Sequence, residues 1–253
     1  MSDQRLGMLI DLSLCIGCNA CAVACKEEND VPLTHFNCWV ESWDVEDVEG
    51  RVRRANLPKQ CNHCANPACV AACPVDATFV VEDGTVQVDE EKCIGCGACV
   101  AACPYEARYI NAELNVVQKC TFCHHRSSNG LLPACVGTCV SNARVFGDLN
   151  DPDSDISRRL AEADVEVLLP EAGLEPQLYY VGLDDTLAMR RRSAVHKGGN
   201  VLVAYEGWAG AGTASSASAA FPAGDATGSA TPDGGSSAST DGRVRAASSA
   251  HEG

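Results

Sequence analysis

Sixteen cysteines stand in four groups of four: Cys15, Cys18, Cys21 and Cys25; Cys61, Cys64, Cys69 and Cys73; Cys93, Cys96, Cys99 and Cys103; and Cys120, Cys123, Cys135 and Cys139. A C-x2-C-x2-C run sets three thiolates on one short loop, where they can grip three corners of a 4Fe-4S cube while the fourth corner is met from elsewhere in the chain. Zinc is the rival, because paired C-x2-C groups also build four-cysteine zinc sites. Zinc has no use for the third cysteine of such a loop, so iron–sulfur chemistry is the better reading. The wide gap between Cys123 and Cys135 would by itself suit a zinc ribbon, but the first group needs a partner. Seventeen cysteines in all is an odd count. Full disulfide pairing is therefore impossible, and thiols that must stay reduced until clusters are inserted place assembly in the cytoplasm.

The other reactive side chains are read against these groups. Cys38, the seventeenth, is expected as a buried free thiol beside Trp39. His63, His124 and His125 lie inside the groups, yet no group lacks a cysteine, so they are expected as loop residues or hydrogen-bond donors to sulfur. Lys59, Lys92 and Lys119 stand just before a group's first cysteine and are candidates for favouring the reduced, more negative cube. The run Arg190-Arg191-Arg192 reads as a solvated stretch. No nucleophile–base set, G-x-G-x-x-G or Walker lysine motif appears, and no residue is assigned to catalysis. Cubes whose irons are all held by thiolates leave electron transfer as the remaining chemistry.

These ligands must be positioned by short elements. Residues 5–14 read as a strand leading to the first loop. Residues 26–60 read as a ligand-free β-ribbon insertion turning at Gly50, with Trp39 and Trp43 as partner anchors if exposed. Residues 61–112 repeat a unit of cysteine loop, short helix and extended segment, with helices at 68–72 and 98–102 stopped by Pro74 and Pro104. Between the copies lies a hairpin turning at Asp83-Gly84. Residues 5–25 with 113–150 form an outer split unit around that inner one. A C-terminal wrapping segment at 151–207 carries a helix capped by Asp153 or Ser154 and a strand at 177–181. Residues 208–253, rich in Ala, Gly and Ser, are expected to be a disordered tail. The fold class expected is α+β: two dicluster units, one inserted in the other, with the ribbon and the tail.

Composition limits the partners. A net charge of −15 argues against phosphate neutralisation on nucleic acid and against attraction to anionic lipid, and it suits high salt, so a halophilic source is favoured. Aromatic residues are only 5% of the chain, so clusters must supply much of the core and the apo chain should fold poorly. No run approaches the ~18 apolar residues that span a bilayer. The first residues, Met1 to Arg5, lack the pattern of a secretion signal, so any membrane association is expected through partners.

The residues also carry a resemblance. Cys73-Pro74 and Cys103-Pro104 resemble the bacterial ferredoxin run, whose fourth cysteine ligates the other cluster. The four-group order, Lys119-Cys120-Thr121-Phe122-Cys123 followed by Pro133-Ala134-Cys135, and the stretch Val145-Phe146-Gly147-Asp148-Leu149-Asn150-Asp151-Pro152 resemble the iron–sulfur subunits of the dimethyl sulfoxide reductase family of molybdopterin oxidoreductases. Polysulfide, tetrathionate and dimethyl sulfoxide reductases are the nearest in layout. Val140 departs from that pattern where many relatives have proline. The resemblance spans about residues 5 to 200 and implies four 4Fe-4S clusters in crossed sets. Cluster 1 would take Cys15, Cys18, Cys21 and Cys139; cluster 2, Cys25, Cys120, Cys123 and Cys135; cluster 3, Cys61, Cys64, Cys69 and Cys103; cluster 4, Cys73, Cys93, Cys96 and Cys99. It further implies a relay between a molybdopterin catalytic subunit and an integral membrane quinol-oxidising subunit, with export, if any, alongside a signal-bearing partner. A free-standing polyferredoxin shuttle and a zinc-stapled interaction module are the alternatives.

Overall fold

The structure, a computed structural model, describes residues 4–46 and 49–183. In chain order its elements are β1 (Leu6–Asp11), α1 (Ala20–Glu28), β2 (Cys38–Glu46), β3 (Val52–Gln60), α2 (Ala68–Ala71), β4 (Thr78–Val80), β5 (Val86–Val88), α3 (Ala98–Ala101), β6 (Arg108–Asn111), β7 (Val116–Lys119), α4 (His124–Ser127), α5 (Ala134–Gly137), β8 (Arg144–Asp148), α6 (Asp155–Glu162), β9 (Val165–Glu166) and β10 (Leu178–Val181). The fold is ferredoxin-like, with helix and strand mixed. The tail and the arginine run expected to be solvated lie outside the described residues.

One sheet ties the two ends of the described chain together. Its strand order is β8-β1-β10-β9. β1 runs antiparallel to β8, with Leu6 opposite Asp148, and parallel to β10, with Met8 opposite Leu178. With neighbours on both sides β1 has no free edge, and it is buried from Leu6 to Ile10. α6 packs over β8 and β1. Its start is set by Ser154, not Asp153: the Ser154 hydroxyl accepts from Ser157 N at 3.1 Å and donates to the Asp148 carbonyl at 2.7 Å. That anchoring delivers the fully buried Ile156.

β2 and β3 form a long antiparallel ribbon in which Cys38 faces Gln60 and Glu46 faces Val52, with Gly50 in the connection. One end of it lies in the core, because Cys38, Trp39, Val40, Ala55 and Leu57 are all buried. The condition set for Trp39 as a partner anchor, exposure, is not met. Its indole is 7% exposed and donates to the Glu41 carboxylate at 3.1 Å, so Trp39 packs inward and is no surface anchor. Two smaller ribbons, β4-β5 and β6-β7, follow the helices α2 and α3.

Candidate metal centres

One local unit recurs four times. Each third cysteine of a group is the second residue of a short helix, after an alanine: Ala20-Cys21 in α1, Ala68-Cys69 in α2, Ala98-Cys99 in α3 and Ala134-Cys135 in α5. In three copies the fourth cysteine then closes the helix, its N–H donating to the valine carbonyl three residues back: Cys73 to Val70 at 3.0 Å, Cys103 to Val100 at 3.3 Å and Cys139 to Val136 at 3.1 Å. The third residue after each of these cysteines adopts a left-handed backbone (Asp76 φ 51, Glu106 φ 55, Asn142 φ 53), which turns the chain away from the site. In α1 the third and fourth cysteines are four apart, so Cys21 and Cys25 share one buried face. Helices α1 and α5 pack together, as do α2 and α3.

All seventeen cysteines are free. Their neighbours reach across the groups. Cys15 is pushed up by burial and, more weakly, by the charges of Cys21 and Cys139. Burial raises Cys25 as well, followed by Cys135 and Cys123, and Cys120 rises through burial and then Cys25 and Cys135. Cys64 is pushed up to about 12 by burial, with Cys61, Cys103 and Cys69 next. Charge thus acts between groups, from Cys139 on Cys15, from Cys25 on Cys120 and from Cys103 on Cys64. Cys73, Cys93 and Cys96 are less converged: Cys73 Sγ accepts from Ala77 N at 3.2 Å, Cys93 Sγ from Val117 N at 3.3 Å, and Cys96 is exposed.

The surroundings fit iron–sulfur cubes. Thiolates that repel one another in a dry site need positive iron, and several sulfurs already accept hydrogen bonds. Phe122 N approaches Cys120 Sγ at 3.4 Å, and Asn29 Nδ2 lies 3.7 Å from both Cys25 Sγ and Cys123 Sγ. Among the described residues no three or more His, Cys, Asp or Glu side chains converge on one ion, whereas a cube spreads its four thiolates over four irons.

Two arginines that sequence reasoning missed face the sulfurs. Arg144 Nη2 lies 3.2 Å from Cys38 Sγ and 3.7 Å from Cys21 Sγ, while Nη1 lies 4.0 Å from Cys135 Sγ and donates to Gln60 Oε1 at 2.7 Å. Arg108 Nη2 donates to Cys69 Sγ at 2.9 Å and Nη1 to Thr78 Oγ1 at 3.2 Å. Both are fifth residues after a group's last cysteine, a signal visible in Cys103-x4-Arg108 and Cys139-x4-Arg144. Cys38 is indeed a buried free thiol, but it holds its proton between Cys135 and Cys21, and its hydrogen bond lowers the Cys21 pKa.

The other expectations divide. Lys119 is buried, donating to the Cys120 carbonyl at 2.8 Å and to Val86 O. Lys59 is instead paired with Glu41 at 3.0 Å, and Lys92 sits on the surface with Asp89, so neither reaches a sulfur. The histidines do not donate to sulfur either. His63 Nδ1 accepts from Val86 N at 3.0 Å with its ring stacked on Phe122, His124 faces Asp83, and His125 pairs with Glu28 at 2.8 Å.

The 4Fe-4S dicluster domain family matches residues 52–149 and the 4Fe-4S binding domain family residues 8–28. The sequence is 50% identical to a tetrathionate reductase subunit of Salmonella typhimurium over 185 residues, covering 72% of this chain and 74% of that protein. This chain therefore belongs to the iron–sulfur subunits of the dimethyl sulfoxide reductase family. A putative dimethyl sulfoxide reductase iron-sulfur subunit of Halobacterium salinarum is 41% identical, over 69% of this chain and 78% of its own length. A polysulfide reductase chain of Wolinella succinogenes is 38% identical, over 70% and 94%. As a member of this family the chain is an electron-transfer subunit of a molybdopterin oxidoreductase, and it carries 4Fe-4S clusters. Among the described residues no helix is long and apolar enough to cross a membrane.

Proposed function

We propose that the sixteen grouped cysteines hold four 4Fe-4S cubes in the crossed sets, and that the chain relays electrons between a membrane quinol-oxidising subunit and a molybdopterin catalytic subunit. Each cube, when bound, takes up and gives back one electron at a time. What supports the reading is that the displaced fourth cysteines are near enough for their charges to act across the groups: Cys139 on Cys15, Cys25 on Cys120, and Cys103 on Cys64. A group that held its own cube would not need those partners. The fourth set, Cys73 with Cys93, Cys96 and Cys99, follows by the repeat.

The two exposed cysteines suggest where the wire ends. Cys18 and Cys96 both lie in C-I-G-C loops, beside the exposed Ile16 and Ile94. An electron must enter and leave close to a surface that a partner can cover, so clusters 1 and 4 are the terminal cubes. Membrane association then comes through the partners, and the folded chain is co-exported if its catalytic partner bears a signal. Within the chain, residues 5–25 with 113–150 make the outer unit and 61–112 the inner one, and residues 26–60 and the described part, 151–183, of the 151–207 wrapping segment cover them.

The test is a ligand comparison. Cys139→Ser should alter the same paramagnetic signal as Cys15→Ser and spare the one altered by Cys120→Ser. If Cys139→Ser matches Cys120→Ser instead, each group holds its own cube. Iron and sulfide should each approach about sixteen per chain, and stoichiometric zinc or half that iron would sink the reading. Recovery with a molybdopterin subunit and a multi-helix membrane subunit separates the relay from a diffusing polyferredoxin.

A further inference from the structure

Three cationic side chains are buried where the ligand sets adjoin. Arg144 is 5% exposed, Arg108 5% and Lys119 2%. Burying a charge is costly unless other charges and hydrogen bonds answer it, and here the answering charges are thiolates. Arg144 touches Cys21 of cluster 1 and Cys135 of cluster 2. Arg108 donates to Cys69 of cluster 3 and to Thr78, whose hydroxyl bonds Cys73 of cluster 4, and it faces Cys99 of that cluster too. Lys119 donates to the carbonyl of Cys120 in cluster 2 and faces Cys61 and Cys69 of cluster 3. Every junction between successive ligand sets thus holds one cation. The two arginines occupy equivalent positions, each following an alanine and a left-handed residue.

We propose that Arg144 and Arg108 are positioning charges of the relay, each set between the two cubes of one dicluster unit so that it raises both reduction potentials and weakens the repulsion between two reduced neighbours. Lys119 stands at the corresponding place between the units. A cube gains negative charge on reduction, so two adjacent cubes reduced together repel, and a guanidinium shared by both lessens that repulsion in a medium where Coulomb interactions are strong. Arginine suits the place because it stays protonated in a dry interior and its planar fork can address both sides at once. This reading rests on the crossed ligand sets.

The experiment uses the holoprotein in its native complex, with Arg144→Gln, Arg144→Lys and Arg108→Gln compared by iron content and by paramagnetic resonance during reductive titration. Arg144→Gln should lower the midpoints of clusters 1 and 2, each by at least a tenfold change in the reduction equilibrium, 59 mV for a one-electron couple. Clusters 3 and 4 should hold. Arg108→Gln should give the reverse pattern, and Arg144→Lys should restore most of the shift. Full iron with unmoved potentials, equal shifts at all four cubes, or a lysine variant as low as the glutamine one would each overturn the proposal. Should Arg144→Gln lose iron, the lysine variant decides: potentials within tenfold of the parent support the charge role, and equal loss overturns it. Failure of the ligand sets themselves would register separately, as a wrong iron count or wrong pairing in the cysteine variants.

Discussion

Gly95 tests whether a cysteine loop is built for its cluster or merely tolerates it. It lies between Cys93 and Cys96 with φ +66, and a Cβ there would stand 2.4 Å from the backbone oxygen of Asn115. The left-handed conformation costs a residue with a side chain about 1–2 kcal/mol. The clash cannot be relieved by rotating a neighbour, because Asn115 belongs to the β6-β7 turn, where Asn111 Oδ1 accepts from Glu113 N at 3.0 Å and Leu114 N at 3.3 Å. Either the cysteine loop moves or the turn does, and the turn presents Val117 N to Cys93 Sγ. Losing that hydrogen bond adds about 1 kcal/mol. The sum, about 2–3 kcal/mol before any residual clash, corresponds to a loss in cluster retention of roughly 30- to 160-fold. After identical anaerobic reconstitution, Gly95→Ala should lack roughly a quarter of about sixteen irons, with one paramagnetic signal missing. Gly130→Ala is the control, because Gly130 also has positive φ but nothing lies within 4 Å of its added methyl. A Gly95→Ala protein with full iron and an unchanged spectrum would refute the reasoning.

The counterpart of that experiment in the first group is Gly17→Ala, where the added methyl would meet the Asn56 side chain at 2.4 Å; a side chain can swing aside, at the cost of the 3.1 Å bond from Asn56 Nδ2 to the Cys15 carbonyl, so partial retention of cluster 1 is expected. Ser154→Ala removes the cap of α6 and should cost about 1 kcal/mol, lowering the temperature of cluster bleaching by roughly 2–4 °C. Glu28 links α1 to α4, its carboxyl held below the ordinary range by His125 and then Arg126. A depressed carboxylate stabilises above its unfolded value, about 4.3, and the effect is lost as pH falls through the folded one. Glu28→Gln should therefore lower stability modestly in the neutral region and flatten the acid limb, so that the variant and the parent converge at low pH, measured as iron retained against pH.

The recurring cysteine loops were legible because cysteine spacing is a direct record of loop geometry, and the short helices because Pro74 and Pro104 end them. The hairpin at Asp83-Gly84 and the cap at Ser154 were likewise local. What was not legible depends on distance in space. Proximity in sequence to a cysteine pointed to Lys59, Lys92 and Lys119 as tuning cations, yet Lys59 turns to Glu41 and Lys92 to Asp89. Arg108 and Arg144 face sulfur because the left-handed residue before each reverses the chain, which composition does not announce. The exposure of Trp39 was left open for a related reason: alternation in a ribbon shows two faces without saying which of them meets the core. The pairing of β1 with β10 joins residues about 170 apart and leaves no local trace.

That last pairing orders the protein's biogenesis. Strand β1 precedes the other described elements in the chain but acquires its parallel neighbour only when Leu178–Val181 has been made. The ligands assigned to clusters 3 and 4 are complete by Cys103, whereas cluster 1 waits for Cys139 and for the sheet that closes behind it. In the proposed ligand sets the inner pair of cubes can thus be loaded first, and the outer pair only once Cys135 and Cys139 have been made. The parallel strand acts as a latch, closing once synthesis has passed the last ligand.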